Sequence, residues 1–520
     1  MDNSQERHAR QGIKKGEVRV RAAVDTTDNS LLDFDAAIDP IAEMAASINE
    51  NAKTPQQAKA AMISLLLENI DNINLVSVCQ LLGWSGNDDE SPKQKHFKVA
   101  IVHNLITTAK KFNWHVIHDA GFFYIFNGAF WVSLDDNEVK QLLKDAAIKM
   151  GYTEIECRDS TFVDKLFQQA QQDGFFTEKN YVKQSIINLK NGSLVLDEAG
   201  VHLKPFDYRD FLTHQLEFAY DPSAVNLVFN RYLDEVLPDK ETKRTLQEVA
   251  GYLFIKGLKM EKIFFLYGLG ANGKSVFFES LNGLLGADNI SHYSLESLTD
   301  EKGYHRAMIK DKIVNYATDI RLTKIDAGMF KTLASGEPIE ARLPYRDPFL
   351  MSDYAKLIFN VNKFDSANVE HTHGFWRRVL VIPFTKTIPS EQQDRDLHKK
   401  ILNDRAGLLN WVIAGAERVI KQRDIFISAE CELFKLKFMK ETDTVAMYED
   451  DVQETMTATI YFKTVQEAYN DYKNYCQEAG HKFPLGRNNF VQRMVALGFE
   501  KSKKERAWML EKNMTLKKRL

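Results

Sequence analysis

No stretch of this 520-residue chain approaches the roughly 18 consecutive apolar residues that a membrane-spanning helix requires. Its start, MDNSQERHARQGIKKGEVRV, is polar and lacks the apolar core of a secretion signal. Four cysteines, Cys79, Cys157, Cys431 and Cys476, lie far apart without C-x-x-C spacing, which argues against zinc knuckles and a disulfide framework. Charge of one sign is also scarce. With 68 basic side chains against 72 acidic ones the formal net charge is −4, so any nucleic-acid site must be local. These absences predict a protein of a reducing cytoplasm, neither secreted nor membrane-spanning. At 44% hydrophobic and 27% charged residues the chain reads as globular, with room for about three or four domains.

What is present concentrates in residues 261–280, EKIFFLYGLGANGKSVFFES. An apolar run, 263–267, leads into GLGANGKS, which satisfies G-x-x-x-x-G-K-[ST], the phosphate loop, and a helix-compatible segment follows. Triphosphate oxygens approach the main chain closely only where no Cβ intervenes, so Gly268, Gly270 and Gly273 keep the loop open and permit positive φ. Consecutive N–H groups, including that of Asn272, form an anion nest at a helix N-terminus. Lys274 reaches the β and γ oxygens as a point charge, and the Ser275 hydroxyl can ligate Mg²⁺. ATP with Mg²⁺ is the expected ligand.

Before the loop the chain changes character several times. Residues 1–30 are polar and poor in large apolar groups, which predicts a flexible arm whose arginines and lysines are solvated or touch nucleic acid. Asp33-Phe34-Asp35 has the form of a metal-binding acid pair, but helical sequence follows instead of the strands a priming domain needs. Helical periodicity fills about 31–110 and 137–175. Between them, Asn127-Gly128 joins two aromatic-rich runs as a hairpin signal. Short strands with turns at Asn191-Gly192 and near Gly200 follow, and residues 229–256 read as two helices broken near Pro238. The region up to 205 is thus an α+β accessory part without recognisable catalytic chemistry.

Beyond the loop, an ATPase needs an acid at the end of a strand, where it holds Mg²⁺ and polarises the attacking water. The run KIVNYATD ends in Asp319, which serves either as that acid or as a structural cap. LIFNVN, 357–362, reads as a buried strand with amides at its end, and an Asn there can orient the lytic water or sense the γ-phosphate. FWRRVLVIPF joins Arg377 and Arg378 to another apolar strand.

In this order GLGANGKS, NYATD, KTLASGE from Lys331 to Glu337, LIFNVN and WRRVLVIPF resemble superfamily 3 helicases of the phage, plasmid and poxvirus primase–helicase type. The resemblance covers about 180–425 well and the remainder loosely; Glu337 stands where Asp is commoner. It implies an α/β, AAA+-like P-loop ATPase that forms a hexameric ring around DNA with ATP sites at subunit interfaces. Lys274 and Ser275 would match its first motif, Asp319 its second and Asn362 its sensor. Arg378 would match the arginine that acts on the neighbouring subunit, with Arg377 its near rival. Family members also carry a pore hairpin that grips single-stranded DNA; the matching stretch runs over 340–348, where Arg342, Tyr345 and Arg346, with Lys331 nearby, offer phosphate contact and stacking. No convincing primase sequence precedes the ATPase, so a separate primase is an expected partner.

The expected domains are an arm at 1–30, the α+β accessory region at 31–205, a helical lead-in at 206–256, the ATPase at 257–430 and a linker at 431–455. A winged-helix-like domain with a basic tail occupies 456–520, where Arg487, Asn488, Gln492 and Arg493 would face a DNA groove if the second helix reads it. The function predicted is an ATP-dependent DNA helicase of mobile-element replication. Two rivals are an ATP-switched origin-binding initiator that scarcely unwinds and a protein-remodelling machine, whose pore would carry apolar aromatic residues instead.

Overall fold

The computed structural model describes residues 55–86, 90–112, 114–119, 121–173, 184–318, 325–344, 347–362, 372–455, 460–481, 484–504 and 507–513. The expected arm and the Asp33–Asp35 pair lie outside them, as do Asp319, Tyr345 and Arg346. None of the described helices is long and apolar enough to cross a membrane.

The accessory region builds one apolar core from helices α1 (Pro55–Glu68), α2 (Leu75–Leu81) and α3 (Gln94–Lys111), the antiparallel strands β1 (Val116–Asp119), β2 (Phe122–Phe126) and β3 (Trp131–Leu134), and helices α4 (Asp136–Lys149) and α5 (Ser160–Asp173). The Asn127-Gly128 turn forms as its residue types require. Asn127 is buried, and its Oδ1 accepts the N–H groups of Ala129 and Phe130 at 3.0 and 2.8 Å while its own N–H donates to the Phe130 carbonyl. The aromatic rings of this hairpin pack among themselves and against Tyr208 and Phe211. A second antiparallel sheet follows, β4 (Ser185–Leu189), β5 (Gly192–Asp197) and β6 (Gly200–Lys204). The predicted break at Pro238 separates α6 (Leu227–Val236) from α7 (Lys240–Tyr252), which Asp239 caps through its carboxylate.

The centre is a five-stranded, all-parallel sheet of β7 (Ile263–Tyr267), β8 (Ile290–Ser291), β9 (Val314–Ala317), β12 (Lys356–Val361) and β13 (Val379–Pro383), ordered β13-β7-β12-β9-β8. In chain order of its own strands that is 5-1-4-3-2. The runs IFFLY and VLVIP are apolar throughout because both faces of the sheet are covered. Phe264, Leu266, Leu380 and Ile382 enter one core, with helices α6, α7, α8 (Lys274–Leu285) and α11 (Arg405–Gln422). Ile263, Phe265, Val379 and Val381 enter the other, with α9 (Ala327–Ser335) and the hairpin strands β10 (Ile339–Ala341) and β11 (Phe349–Met351).

Buried charge joins α7 to α11. The Glu248 carboxylate accepts from Arg244 Nε at 2.8 Å, Arg418 Nε at 3.0 Å and the Phe426 N–H at 2.7 Å, with Gln422 completing the set. Burial by itself would raise its pKa, but these donors outweigh it and hold the carboxyl below the ordinary glutamate value.

The stretch expected as a linker is helical and packed. Helix α12 (Ala429–Thr442) lies along β13 with Cys431 and Phe438 in the cores of the sheet, whereas α13 (Thr444–Thr455) sends Val445, Tyr448 and Val452 into the core of the C-terminal part. That part contains β14 (Ile460–Thr464), α14 (Val465–Glu478), α15 (Arg487–Ala496), β15 (Glu500–Lys504) and β16 (Ala507–Asn513), with sheet order β14-β16-β15. The second helix, α15, was legible in the sequence; the edge strand β14 was not. Arg493, one of the residues expected to face a groove, makes a contact inside the domain. Its Nε donates to the buried carboxylate of Asp443 at 2.5 Å, because an uncompensated Asp between two helices would be costly.

Candidate functional site: two ends of one sheet

The phosphate loop leaves the C-terminal end of β7 and enters α8. Gly273 caps the helix at φ 86°, and Ala271 also takes the left-handed conformation, at φ 48°. The path needs its glycines. A Cβ on Gly273 would stand 2.6 Å from Val236 Cγ1, and one on Gly268 would stand 1.9 Å from Asn272 Nδ2. Lys274 is buried, and its Nζ donates to the Gly268 carbonyl at 2.6 Å and to Asn272 Oδ1 at 3.1 Å. The ammonium thus spans the concave side of the loop. Asn272 is buried too, and its Nδ2 has no hydrogen-bond partner among the described residues. Ser275 is exposed at the first turn of the helix.

Two residues given no role in the sequence reading hold this end together. Tyr232 on α6 donates its hydroxyl to the Gly273 carbonyl at 2.8 Å, and burial pushes its phenol well above the ordinary tyrosine value, so it stays a donor. Tyr316 on β9 donates to Asn360 Oδ1 on β12 at 2.9 Å, both residues being buried. Asn362 follows β12 at an exposed position. The pairing of Val361 with Tyr267, and the Gly268 N–H bond to the Val361 carbonyl at 3.1 Å, bring that strand end beside the loop. Strand β9 ends in register with Phe359, so Thr318 leaves the sheet at the same end. Asp319 itself lies outside the described residues. Among the described residues no cluster of three His, Cys, Asp or Glu side chains could hold a metal ion.

The arginine pair lies at the other end. Arg378 directly precedes β13, whose first residue pairs with Ile263, the first residue of β7, and the Arg378 carbonyl accepts from the Ile263 N–H at 2.8 Å. The rise of β7 alone, roughly 13 Å at about 3.3 Å per residue, separates this end from the phosphate loop of the same chain. Glu261 bridges both arginines, with Oε2 3.0 Å from Arg377 Nη2 and 3.3 Å from Arg378 Nη2. Its backbone is left-handed, φ 50°, a conformation that costs a residue with a Cβ about 1–2 kcal/mol. A cleft of about 410 Å³ opens beside this end, and Lys262 and Ser335, which both contact the pair, line it.

Two of the four residues predicted to grip DNA, Arg342 and Lys331, are among the described residues. Arg342 is exposed at the end of β10, which pairs antiparallel with β11; Tyr345 and Arg346 lie outside the described residues. Lys331 is half-buried on α9, near Gly374 of the helical turn that carries the arginines. Phe349 on β11 meets Phe122 of the accessory hairpin edge-on, with ring centroids 5.8 Å apart, so the accessory sheet supports the base of this hairpin.

Comparison with known proteins finds matches to two parts of the chain. Residues 104–238 match a family model described as D5 N terminal like, and residues 266–378 match a family of unknown function, DUF5906. The second match runs from within β7 to Arg378. The chain is 26% identical over 235 residues to "Putative helicase L207/L206" of Acanthamoeba polyphaga mimivirus, an alignment covering 43% of this chain and 24% of that protein. It therefore spans about a quarter of the length of this relative. Among solved structures it is similar to the A form apo structure of the NrS-1 C terminal region, at 10% identity and a TM-score of 0.42 over 80% of this chain and 99% of that one. A second structure, of NrS-1 C terminal region residues 305–718, gives a TM-score of 0.42 at 11% identity, with 80% and 100% covered. At such TM-scores the fold rests on the strand order and register described above. By sequence, the chain is similar to D5-type and helicase-type proteins.

Proposed function

We propose that this chain is an ATP-dependent DNA helicase of mobile-element replication, working as a ring in which each ATP site is shared by two protomers. The observation that carries the reading is the separation of the phosphate loop from the arginine pair by the length of the sheet, with both on one rigid β7–β13 pair. Arginines so placed cannot serve their own nucleotide. They can serve a neighbour's, where arginine stabilisation of transition-state charge contributes about 10³-fold or more in rate. The parallel 5-1-4-3-2 strand order supports an AAA+-like core, the helix–turn–helix with its paired strands supports a winged-helix domain, and the viral relative's name supports a helicase.

The loop suits a triphosphate. It offers a buried ammonium, an amide nitrogen on Asn272 unpartnered among the described residues, and a path closed to side chains at Gly268 and Gly273. Lys274 exchanges its contacts with Gly268 and Asn272 for phosphate oxygens, and Asn362 orients the attacking water. Ser275 and Asp319 would hold Mg²⁺, which neutralises charge on the β and γ oxygens. Arg342 and the hairpin tip track the backbone of one DNA strand, with the exposed position of Arg342 leaving it within reach of a ligand.

A strand-displacement assay tests the reading, with tailed duplexes of both polarities and Lys274→Ala as control. The expected result is unwinding that requires ATP and vanishes in the control, together with ATPase stimulated by single-stranded DNA. ATP hydrolysis without unwinding on either substrate would favour the initiator reading; stimulation by unfolded polypeptide in place of DNA would favour a remodelling machine.

A further inference from the structure

The two arginines are held in different ways. Arg378 is nearly enclosed, its side chain 11% exposed, and all three guanidinium nitrogens are engaged. Nε and Nη2 donate to Ser335 Oγ at 3.2 and 3.0 Å, Nη1 donates to the Gly374 carbonyl at 2.7 Å, and Nη2 also faces Glu261. Arg377 has a half-exposed side chain, and among the described residues its guanidinium is held by Glu261 through one nitrogen at 3.0 Å. Its main chain is pinned: the N–H donates to the His373 carbonyl at 3.0 Å and the carbonyl accepts from Lys262 Nζ. Of the two side chains, that of Arg377 is held, among the described residues, by a single solvent-accessible contact and can swing.

We infer that Arg377 is the arginine that reaches a neighbouring protomer's nucleotide, and that Glu261 is its tether, holding it in the free protomer. This inference rests on the shared-site reading above. Arg378 is the positioning residue. Moving it would break hydrogen bonds to Ser335 and Gly374 in a largely dry setting, whereas moving Arg377 breaks one solvent-accessible ion pair. Glu261 is not stranded by the exchange, because its Oε2 remains paired with Arg378. A triphosphate carries more negative charge than one carboxylate, so a docked neighbour outcompetes the tether. Hydrolysis is thereby coupled to assembly, since a protomer without a neighbour keeps its arginine neutralised.

The test is steady-state ATPase of the full chain as a function of protein concentration, in the wild type, Glu261→Gln, Arg377→Ala and the double variant. Weakening the tether should raise ATPase at low protein concentration about two- to five-fold, the range set by one exposed ion pair, and leave the plateau at high concentration unchanged. The gain should disappear in the double variant. Arg377→Ala should lower kcat about 100-fold or more with ATP affinity retained, and mixing it with Lys274→Ala subunits should restore hydrolysis. Arg378→Lys should instead lower the melting temperature and keep most of kcat. A Glu261→Gln protein with wild-type or reduced ATPase at every concentration would overturn the tether, and loss of kcat in Arg378→Lys with Arg377→Ala active would overturn the assignment of Arg377. If the wild type shows no hydrolysis dependent on Lys274, it is the preceding reading that fails.

Discussion

The hydroxyl of Tyr232 donates to the carbonyl of Gly273 at 2.8 Å, so a lead-in helix outside the phosphate loop fixes the last turn of that loop. The bond joins residues 41 positions apart. Removing it by Tyr232→Phe keeps the ring in its core, beside Phe229, and deletes the donor alone. The expected loss is about 1 kcal/mol of stability, with nucleotide affinity weakened about two- to five-fold. Titration with a fluorescent ATP analogue and a thermal melt measure both; unchanged affinity would show that the loop does not depend on this helix.

Gly273→Ala tests the same contact from the other side. Its Cβ meets Val236 and Tyr232, and φ 86° is a conformation alanine resists. Nucleotide binding should fall more than about ten-fold, because the helix start must shift. At Gly270 a Cβ would meet open space, so Gly270→Ala should cost less stability than Gly273→Ala, although its φ of 111° still strains the loop. Equal melting temperatures for the two variants would contradict this account.

Glu248 gives the fold an acid-sensitive point. Its carboxyl is held below the ordinary value in the folded chain, so its contribution is complete above the pH at which an unfolded glutamate titrates. It is lost as pH falls through the lower, folded value. Glu248→Gln should cost about 2 kcal/mol at neutral pH, a modest figure for a buried pair because Arg244 and Arg418 keep access to water. The difference between wild type and variant should shrink below about pH 4. Urea unfolding at several pH values measures it, and a difference independent of pH would sink the explanation.

Asp443 joins the two packed helices of the former linker. Its Oδ1 accepts the N–H groups of Val445 and Ala446 at 3.1 Å each, while Oδ2 binds Arg493. Asp443→Asn retains the capping oxygen and removes the ion pair; Asp443→Ala removes both. The expected losses are about 1–2 and about 3 kcal/mol respectively. Hydrogen exchange of the 465–496 amides reads the effect, and equal protection in both variants would show that the cap contributes nothing.

Local patterns made much of this molecule legible. The runs around 263–267, 314–317, 356–361 and 379–383 are apolar enough to read as buried strands, the turn residues at Asn127-Gly128 and Asn191-Gly192 mark hairpins, and GLGANGKS identifies its own backbone path. Edge strand β14 escaped because Ile460-Tyr-Phe-Lys-Thr alternates weakly and abuts a helix without a break.

By itself, then, the sequence determined where strands, helices and the phosphate loop form, since those depend on neighbours within a few residues. Tertiary structure decided the strand order that sets the loop and the arginines at opposite ends of one sheet. It also distinguished two adjacent arginines that are chemically identical in the sequence. Arg377 and Glu261 are 116 residues apart, and Arg378 and Ser335 are 43 apart. Whether a guanidinium is free to move is a property of the atoms around it, and those atoms are brought there by the packing of distant segments.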